Sequence, residues 1–373
     1  MAAYLRTDAQ EISSENTIEQ LLISRIPIIQ YMQLYQEQTL EQEDESTAQR
    51  ILQLEGMDES VRDIDEESLD YGEDALHIEN SMLIEMEREN GLHNNVAGET
   101  TGEEAGDEKV LTFSPSSYPS YSYDWSEEWD YEKLVSNFYA VDKSTQLAQK
   151  YMKLHSLLEC DLSVDKSIEG PQILIYHTHS LEAFQDSKPG DTSTSIIGAG
   201  AKLARLLEEE YGFKVYHHQE EFDTEHSEAY AAALPKLEKI LEENPTIEVV
   251  IDLHRDAMTG DRRLVMDLQG RPTARFMFFN GLSYTKGNGE ISYLENPYIQ
   301  DNLALSFQAQ VAANEYYPGI ARKIYLKAYR YNMHLKPKSM LIELGAQNNT
   351  VEEIMNACDP LAHILAIVFD EML

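Results

Sequence analysis

From about residue 171 onward, short unbroken apolar runs alternate with stretches of helical periodicity, and this alternation constrains the fold more than any other feature of the chain. Ile173-Leu174-Ile175-Tyr176, Lys214-Val215-Tyr216, Val249-Val250-Ile251-Asp252-Leu253, Ala274 to Phe279, Ile324-Tyr325-Leu326 and Ser339 to Leu344 read as strands. Between or after them, Ile196 to Tyr211, Ala229 to Glu243, Asn302 to Tyr316 and Val351 to the end carry apolar residues at helical spacing. Gly212 suits the end of the first helix, and Asn244-Pro245 stops the second. Strands written as continuous apolar runs are covered on both faces, as in parallel sheets. The expected fold class is α/β: a single domain over residues 171–373 with a mostly parallel central sheet flanked by helices.

The first part of the chain is built differently. Residues 1–140 hold 33 acidic and 7 basic side chains, net −26, of the −38 carried by all 373 residues. Residues 1–110 include Glu41-Gln42-Glu43-Asp44-Glu45 and Asp63-Ile64-Asp65-Glu66-Glu67. They read as an acidic, poorly ordered or helical segment, with one helical pattern over Ile18 to Gln38. Residues 111–170 form the second unit, an aromatic strap and a linker helix. Tyr118, Tyr121, Tyr123, Trp125, Trp129, Tyr131, Phe138 and Tyr139 crowd there, at a density suited to packing onto a folded domain.

Charge and composition exclude several classes of function. A net charge of −38 repels a polyphosphate backbone, so nucleic acid is not an expected partner. Two cysteines, Cys160 and Cys358, make neither a disulfide framework nor a four-thiolate zinc site. The longest apolar stretch, Leu21 to Met32, is broken by Arg25 and Pro27 and does not suit a membrane span. Met1 to Gln10 has neither the basic patch nor the apolar run of a secretory signal.

In open α/β sheets ligands bind beyond the carboxyl ends of strands, and the polar residues there are unusual. The first strand runs into His177-Thr178-His179-Ser180-Leu181-Glu182 and the third into His254-Arg255-Asp256. A catalytic zinc ion needs three protein ligands and an open position, which His179, Glu182 and His254 supply. His177 is the alternative, either a ligand or a hydrogen-bonded support for one. Asp256 or Asp252 is expected to orient a ligating imidazole. Arg255 and Asp256 also read as a pair bridging loops, while Arg330, within Tyr329-Arg330-Tyr331-Asn332, suits an anionic substrate group or a helix cap. Glu343 lies on an otherwise apolar strand, where a carboxylate must be paired, metal-bound or catalytic to offset its desolvation, and is the general-base candidate. His217, His218, His226 and His363 read as structural.

Ordered motifs carry a family resemblance over roughly residues 135–373. ILIYHTHSLEAF (Ile173 to Phe184), VIDLHRD (Val250 to Asp256), NPYIQDNLA (Asn296 to Ala304), YPGIAR (Tyr317 to Arg322), YRYNMHL (Tyr329 to Leu335) and LIELGAQNNT (Leu341 to Thr350) resemble the stage II sporulation protein P family. The resemblance implies a zinc-dependent N-acetylmuramoyl-L-alanine amidase, with the catalytic glutamate on Glu343. It implies cleavage of peptidoglycan between the lactyl group of N-acetylmuramic acid and the stem-peptide alanine, with cross-link endopeptidase activity credited to some members. It also implies action during engulfment in the extracytoplasmic cell envelope, alongside the stage II sporulation proteins D and M. Members usually carry an N-terminal membrane anchor, which is not seen in this sequence. In that setting Arg255, Asp256, Arg330 and Asn332 are expected to touch substrate or support the ligands. Two other classes fit parts of the sequence: a zinc carboxypeptidase-like or deacylase enzyme acting on a small soluble substrate, and a non-catalytic envelope scaffold.

Overall fold

Leu174, buried in the strand Ile173–Tyr176, has neighbouring strands on both sides, and the sheet grows outward from it. The computed structural model describes residues 111–222, 229–258 and 263–370. The acidic segment 1–110, its expected helix and His226 lie outside the described residues. The strands are β1 (Tyr139–Val141), β2 (Ile173–Tyr176), β3 (Val215–His217), β4 (Val249–Asp256), β5 (Val265–Leu268), β6 (Arg271–Ala274), β7 (Phe276–Gly281), β8 (Tyr284–Thr285), β9 (Gly289–Glu290), β10 (Ala321–Lys327) and β11 (Lys338–Ala346). The helices are α1 (Tyr131–Phe138), α2 (Leu154–Leu158), α3 (Ile196–Glu209), α4 (Ala229–Glu243), α5 (Ile299–Tyr316) and α6 (Val351–Phe369).

Seven strands form the central sheet in the order β1-β10-β7-β11-β4-β2-β3. Every neighbouring pair is parallel except β7 with β11. One antiparallel seam therefore divides the sheet into two parallel groups running in opposite directions. The carboxyl ends of β2, β4 and β11 share an edge with the amino ends of β7 and β10.

Alternation of side chains along each strand assigns the two faces. On one, Ile175, Ile251, Leu253, Phe276, Phe278, Ile342 and Leu344 join the large core that includes residues of α3, α5 and α6. On the other, Ala233, Leu237 and Ile240 of α4 cover Leu174, Tyr176 and Val250. Beside them Tyr230, Phe279, Tyr331, Met333 and Leu341 form a smaller cluster. Asp252 and His254 follow Val250 in step along β4, and Glu343 follows Leu341 along β11, so all three belong to this second face. The helix ends follow local chemistry: Thr350 and Glu353 close a reciprocal capping box on α6, and the Ser195 hydroxyl accepts from Ile197 N–H at α3. Gly212 takes φ +78°, the left-handed conformation that a helix-ending glycine tolerates.

Fourteen of the eighteen residues of α5 are buried, because the strap and α2 cover the side turned away from the sheet. Phe138 stands 4.8 Å from Phe307 of α5, ring centre to ring centre, and Trp125 stands 6.0 Å from it. Tyr123 N–H donates to Glu315 Oε1 at 2.7 Å, tying the strap to the end of α5. β1, within residues 111–170, forms the edge of the sheet beside β10. The apolar run Ala274 to Phe279 is two strands, not one: Arg275 breaks it, and β5 and β6 form a hairpin whose two-residue turn places Gln269 at φ 59° and Gly270 at φ 79°. Among the described residues no helix is long and apolar enough to cross a membrane.

Candidate active site

β2 stops at Tyr176, and the next four residues, His177 to Ser180, are all buried at the edge where β4 and β11 also end. The turn sends the two histidines to different places. His177 Nδ1 lies 2.7 Å from the Leu253 carbonyl, and its Nε2 lies 2.9 Å from His217 Nε2. A carbonyl can only accept, so His177 carries its proton on Nδ1, and His217 donates from Nε2. His217 Nδ1 then accepts from Gln219 Nε2 at 3.1 Å. Burial holds His177 down to about 3 and His217 down to about 4, so both are neutral. Gly200 of α3 admits this pair, since a Cβ there would stand 2.6 Å from His177 Nε2.

His179 turns instead toward His254, with ring centres 5.3 Å apart. Tyr230, at the start of α4, stands 5.8 Å from His179 and 6.3 Å from His254, nearly parallel to the latter. His254 Nδ1 faces Glu182 Oε1 at 3.8 Å, while its Nε2 makes an ion-pair contact with Asp252 Oδ1 at 2.7 Å, off the hydrogen-bonding axis. Asp252 is fixed by Thr178, whose N–H and hydroxyl donate to its two oxygens at 2.9 and 2.6 Å. Burial works against its charge, but His254 and Thr178 outweigh that and lower its pKa. Burial likewise opposes charge on His254, yet Asp252 and Glu182 raise its pKa well above the ordinary value.

Glu182 Oε2 accepts from the Arg255 backbone N–H at 2.8 Å. Glu343 is the register partner of His254 across β11 and β4. It is 8% exposed, and its Oε2 has no hydrogen-bond partner among the described residues. Burial first, then the neighbouring Asp256, raises its pKa well above the ordinary carboxylate value, against the opposing pull of His254 and Arg322.

The other expected residues are dispersed around this centre. The Arg255 guanidinium donates to the carbonyls of Ala183 and Asp256, tying the two loops together. The Asp256 carboxylate pairs with buried Arg322. Arg330 donates to the Glu295 carbonyl at 3.2 Å, and Asn332 to the Tyr230 carbonyl at 3.1 Å, so Asn332 supports the tyrosine beside the histidines. Tyr230 and Arg322 are the residues that the strand-end reading passed over. Tyr230 gives no signal within its alanine-rich helix, and Arg322 lies outside the expected strand Ile324-Tyr325-Leu326, next to Lys323.

Among the described residues no three His, Cys, Asp or Glu side chains stand together at metal-binding distances. The donor chemistry nonetheless suits zinc. Two imidazoles and a carboxylate approach one another in pairs, His179 with His254 and His254 with Glu182, and an outer carboxylate, Asp252, backs His254. The 3.8 Å between His254 Nδ1 and Glu182 Oε1 is within the span that two ligand bonds of ~2.0–2.2 Å to one ion cover.

Comparison with known proteins gives partial likenesses in solved structures. The CwlD amidase from Clostridioides difficile in complex with the GerS lipoprotein is 17% identical, with 54% of this chain and 96% of that one covered and a TM-score of 0.32. The N-acetylmuramoyl-L-alanine amidase AmiC2 of Nostoc punctiforme is 13% identical, with 56% and 98% covered and a TM-score of 0.32. A curated relative, stage II sporulation protein P of Bacillus subtilis (strain 168), is 21% identical over 220 residues, 54% of this chain. That match spans 50% of the relative's length. The sequence model of the family described as Stage II sporulation protein P (SpoIIP) matches residues 66–366, across the whole of the site and most of the sequence, and the chain belongs to that family.

Proposed function

We propose that this chain is a zinc-dependent N-acetylmuramoyl-L-alanine amidase, a peptidoglycan hydrolase that cleaves the amide between the lactyl group of N-acetylmuramic acid and the L-alanine of the stem peptide during sporulation. The observation that carries this reading is the placement of Glu343 beside His254, with His179 and Glu182 converging on the same imidazole.

His179, Glu182 and His254 would hold the zinc ion, which when bound supplies the Lewis acidity that makes water nucleophilic near neutral pH and polarises a scissile carbonyl. Asp252, held by Thr178, fixes the tilt of His254. Glu343 takes a proton from the attacking water and returns it to the departing amine nitrogen of alanine. A buried carboxyl whose pKa is raised accepts and releases a proton closer to neutrality than an exposed one, which suits it to both halves of that transfer. His177, with both ring nitrogens engaged by Leu253 and His217, supports the loop and does not ligate.

By the family's resemblance the reaction takes place in the extracytoplasmic envelope during engulfment, with the stage II sporulation proteins D and M as partners. Digestion of purified peptidoglycan, followed by end-group analysis, tests the proposal. New N-terminal L-alanine, lost on chelation and restored by zinc, is the expected product. New amino termini of D-amino acids alone indicate an endopeptidase or carboxypeptidase-like enzyme, and no released ends indicate a scaffold.

A further inference from the structure

Asp256 and Arg322 form a buried ion pair, 7% and 4% exposed, between strands that are not neighbours. Arg322 stands at the amino end of β10 and Asp256 at the carboxyl end of β4, with β7 and β11 between them. The register sets Arg322 opposite Met277, Met277 opposite Glu343, and Glu343 opposite His254. These four residues form one row across one face of the sheet. To meet Asp256, the Arg322 side chain has to cross that row past Met277 and Glu343.

A guanidinium carried past a buried carboxylate has a strong claim on it, since the planar fork pairs with carboxylates in charge-assisted hydrogen bonds. In this structure it is Asp256 that holds the guanidinium, while Glu343 Oε2 has no hydrogen-bond partner among the described residues. Asp256 is itself anchored, because its Oδ1 accepts from Ala257 N–H at 2.7 Å and its carbonyl accepts from Arg255.

We propose that Asp256 is a positioning residue: by holding the Arg322 guanidinium it keeps Glu343 out of a salt bridge and leaves that carboxylate available for proton transfer. The proposal deepens the reading of Glu343 as the proton-transfer group and rests on it. Without the Asp256 charge the guanidinium is drawn to Glu343, whose carboxyl already feels its charge, and a carboxylate held in such a pair is a weak base. Removing the guanidinium as well removes the cause.

The test compares the parent with Asp256→Asn, Arg322→Met and the double variant, measuring kcat and KM on purified peptidoglycan, together with a crystal structure of Asp256→Asn. We expect Asp256→Asn to lower kcat at least ~10-fold, toward the ~10²–10⁴-fold that a general base contributes, with KM unchanged and the guanidinium seated on Glu343. The double variant recovers most of the lost kcat. A double variant no more active than Asp256→Asn, or a crystal structure with the guanidinium away from Glu343, overturns the proposal. If Asp256→Asn does not fold, Arg322→Lys provides the second arm. The shorter stem leaves its ammonium short of Asp256 and beside Glu343, so kcat falls with KM unchanged, and a parent-like kcat contradicts the proposal. The crystallographic arm does not depend on which bond the enzyme cuts. A parent that releases no L-alanine therefore defeats the amidase reading while leaving the relocation of the guanidinium to be decided on its own.

Discussion

Glu343 and His254 are register partners in the parallel ladder between β11 and β4, a buried carboxylate and a buried imidazole side by side on one face of the sheet. The two residues are 89 positions apart in the chain, and only the pairing of their strands brings them together. The ladder fixes the backbone positions from which the two side chains meet, so the geometry between the proposed base and the proposed ligand is set by the sheet.

The Thr178–Asp252 contact is expected to control metal affinity. Asp252→Asn keeps the size of the side chain but weakens its hold on His254, and should lower zinc affinity by ~10–100-fold, the usual effect of losing a carboxylate behind a ligating histidine. Competition with a chromophoric chelator measures this. Unchanged affinity would remove Asp252 from the site's support.

Gly200 is a packing requirement of the His177–His217 pair. Gly200→Ala would drive a methyl group to 2.6 Å from the His177 ring, and a close-packed site resists this at a cost of ~1–3 kcal/mol. A Tm lowered by several degrees, read by calorimetry, is the expected outcome. A Tm at or above that of the parent would show that α3 shifts without cost.

The same pair should shape stability against pH. Folded values of about 3 for His177 and about 4 for His217 lie below the ~6.5 of an exposed imidazole. Protonation therefore favours the unfolded chain: the contribution is complete above pH ~6.5 and is lost as pH falls through the folded values. His217→Gln still donates to His177 but has no titrating ring. Between pH 6.5 and 4 its Tm should fall less steeply than that of the parent, and equal slopes would contradict the neutral pairing.

The strap and β1 pack onto the folded unit. A chain starting at Lys109 keeps Tyr123, Trp125 and Phe138 against α5 and β1 against β10, so it should digest peptidoglycan near the parent rate. Cutting further, to Lys143, removes both contacts and should leave an unstable protein. Loss of hydrolysis in the longer of the two chains would assign residues 1–108 a part in the reaction.

How much of this was legible in the sequence depends on chain direction. β2, β4 and β11 announce themselves as unbroken apolar runs. Their polar ends, from His177 to Glu182 and from His254 to Asp256, together with Glu343 in β11, could be collected by inspecting the carboxyl end of each strand. Arg322 could not be collected that way. It stands at the amino end of β10, and only the antiparallel seam between β7 and β11 brings that end to the same edge of the sheet. Periodicity does not reveal strand direction. His177 and His179 follow the same strand two positions apart and have the same chemistry. What separates them is the approach of α3 at Gly200, a tertiary contact. The β5–β6 hairpin leaves one usable trace, the Gln269-Gly270 pair that follows Leu268.

The proton-transfer role of Glu343 is tested most directly by measuring zinc content and peptidoglycan hydrolysis together in Glu343→Gln. Glutamine keeps the shape but cannot take the proton from water, so the variant should bind one zinc ion per chain as the parent does and lose ~10²–10⁴-fold in rate. A Glu343→Gln protein that emerges without zinc would make Glu343 a ligand, and one that hydrolyses peptidoglycan at the parent rate would contradict the mechanism.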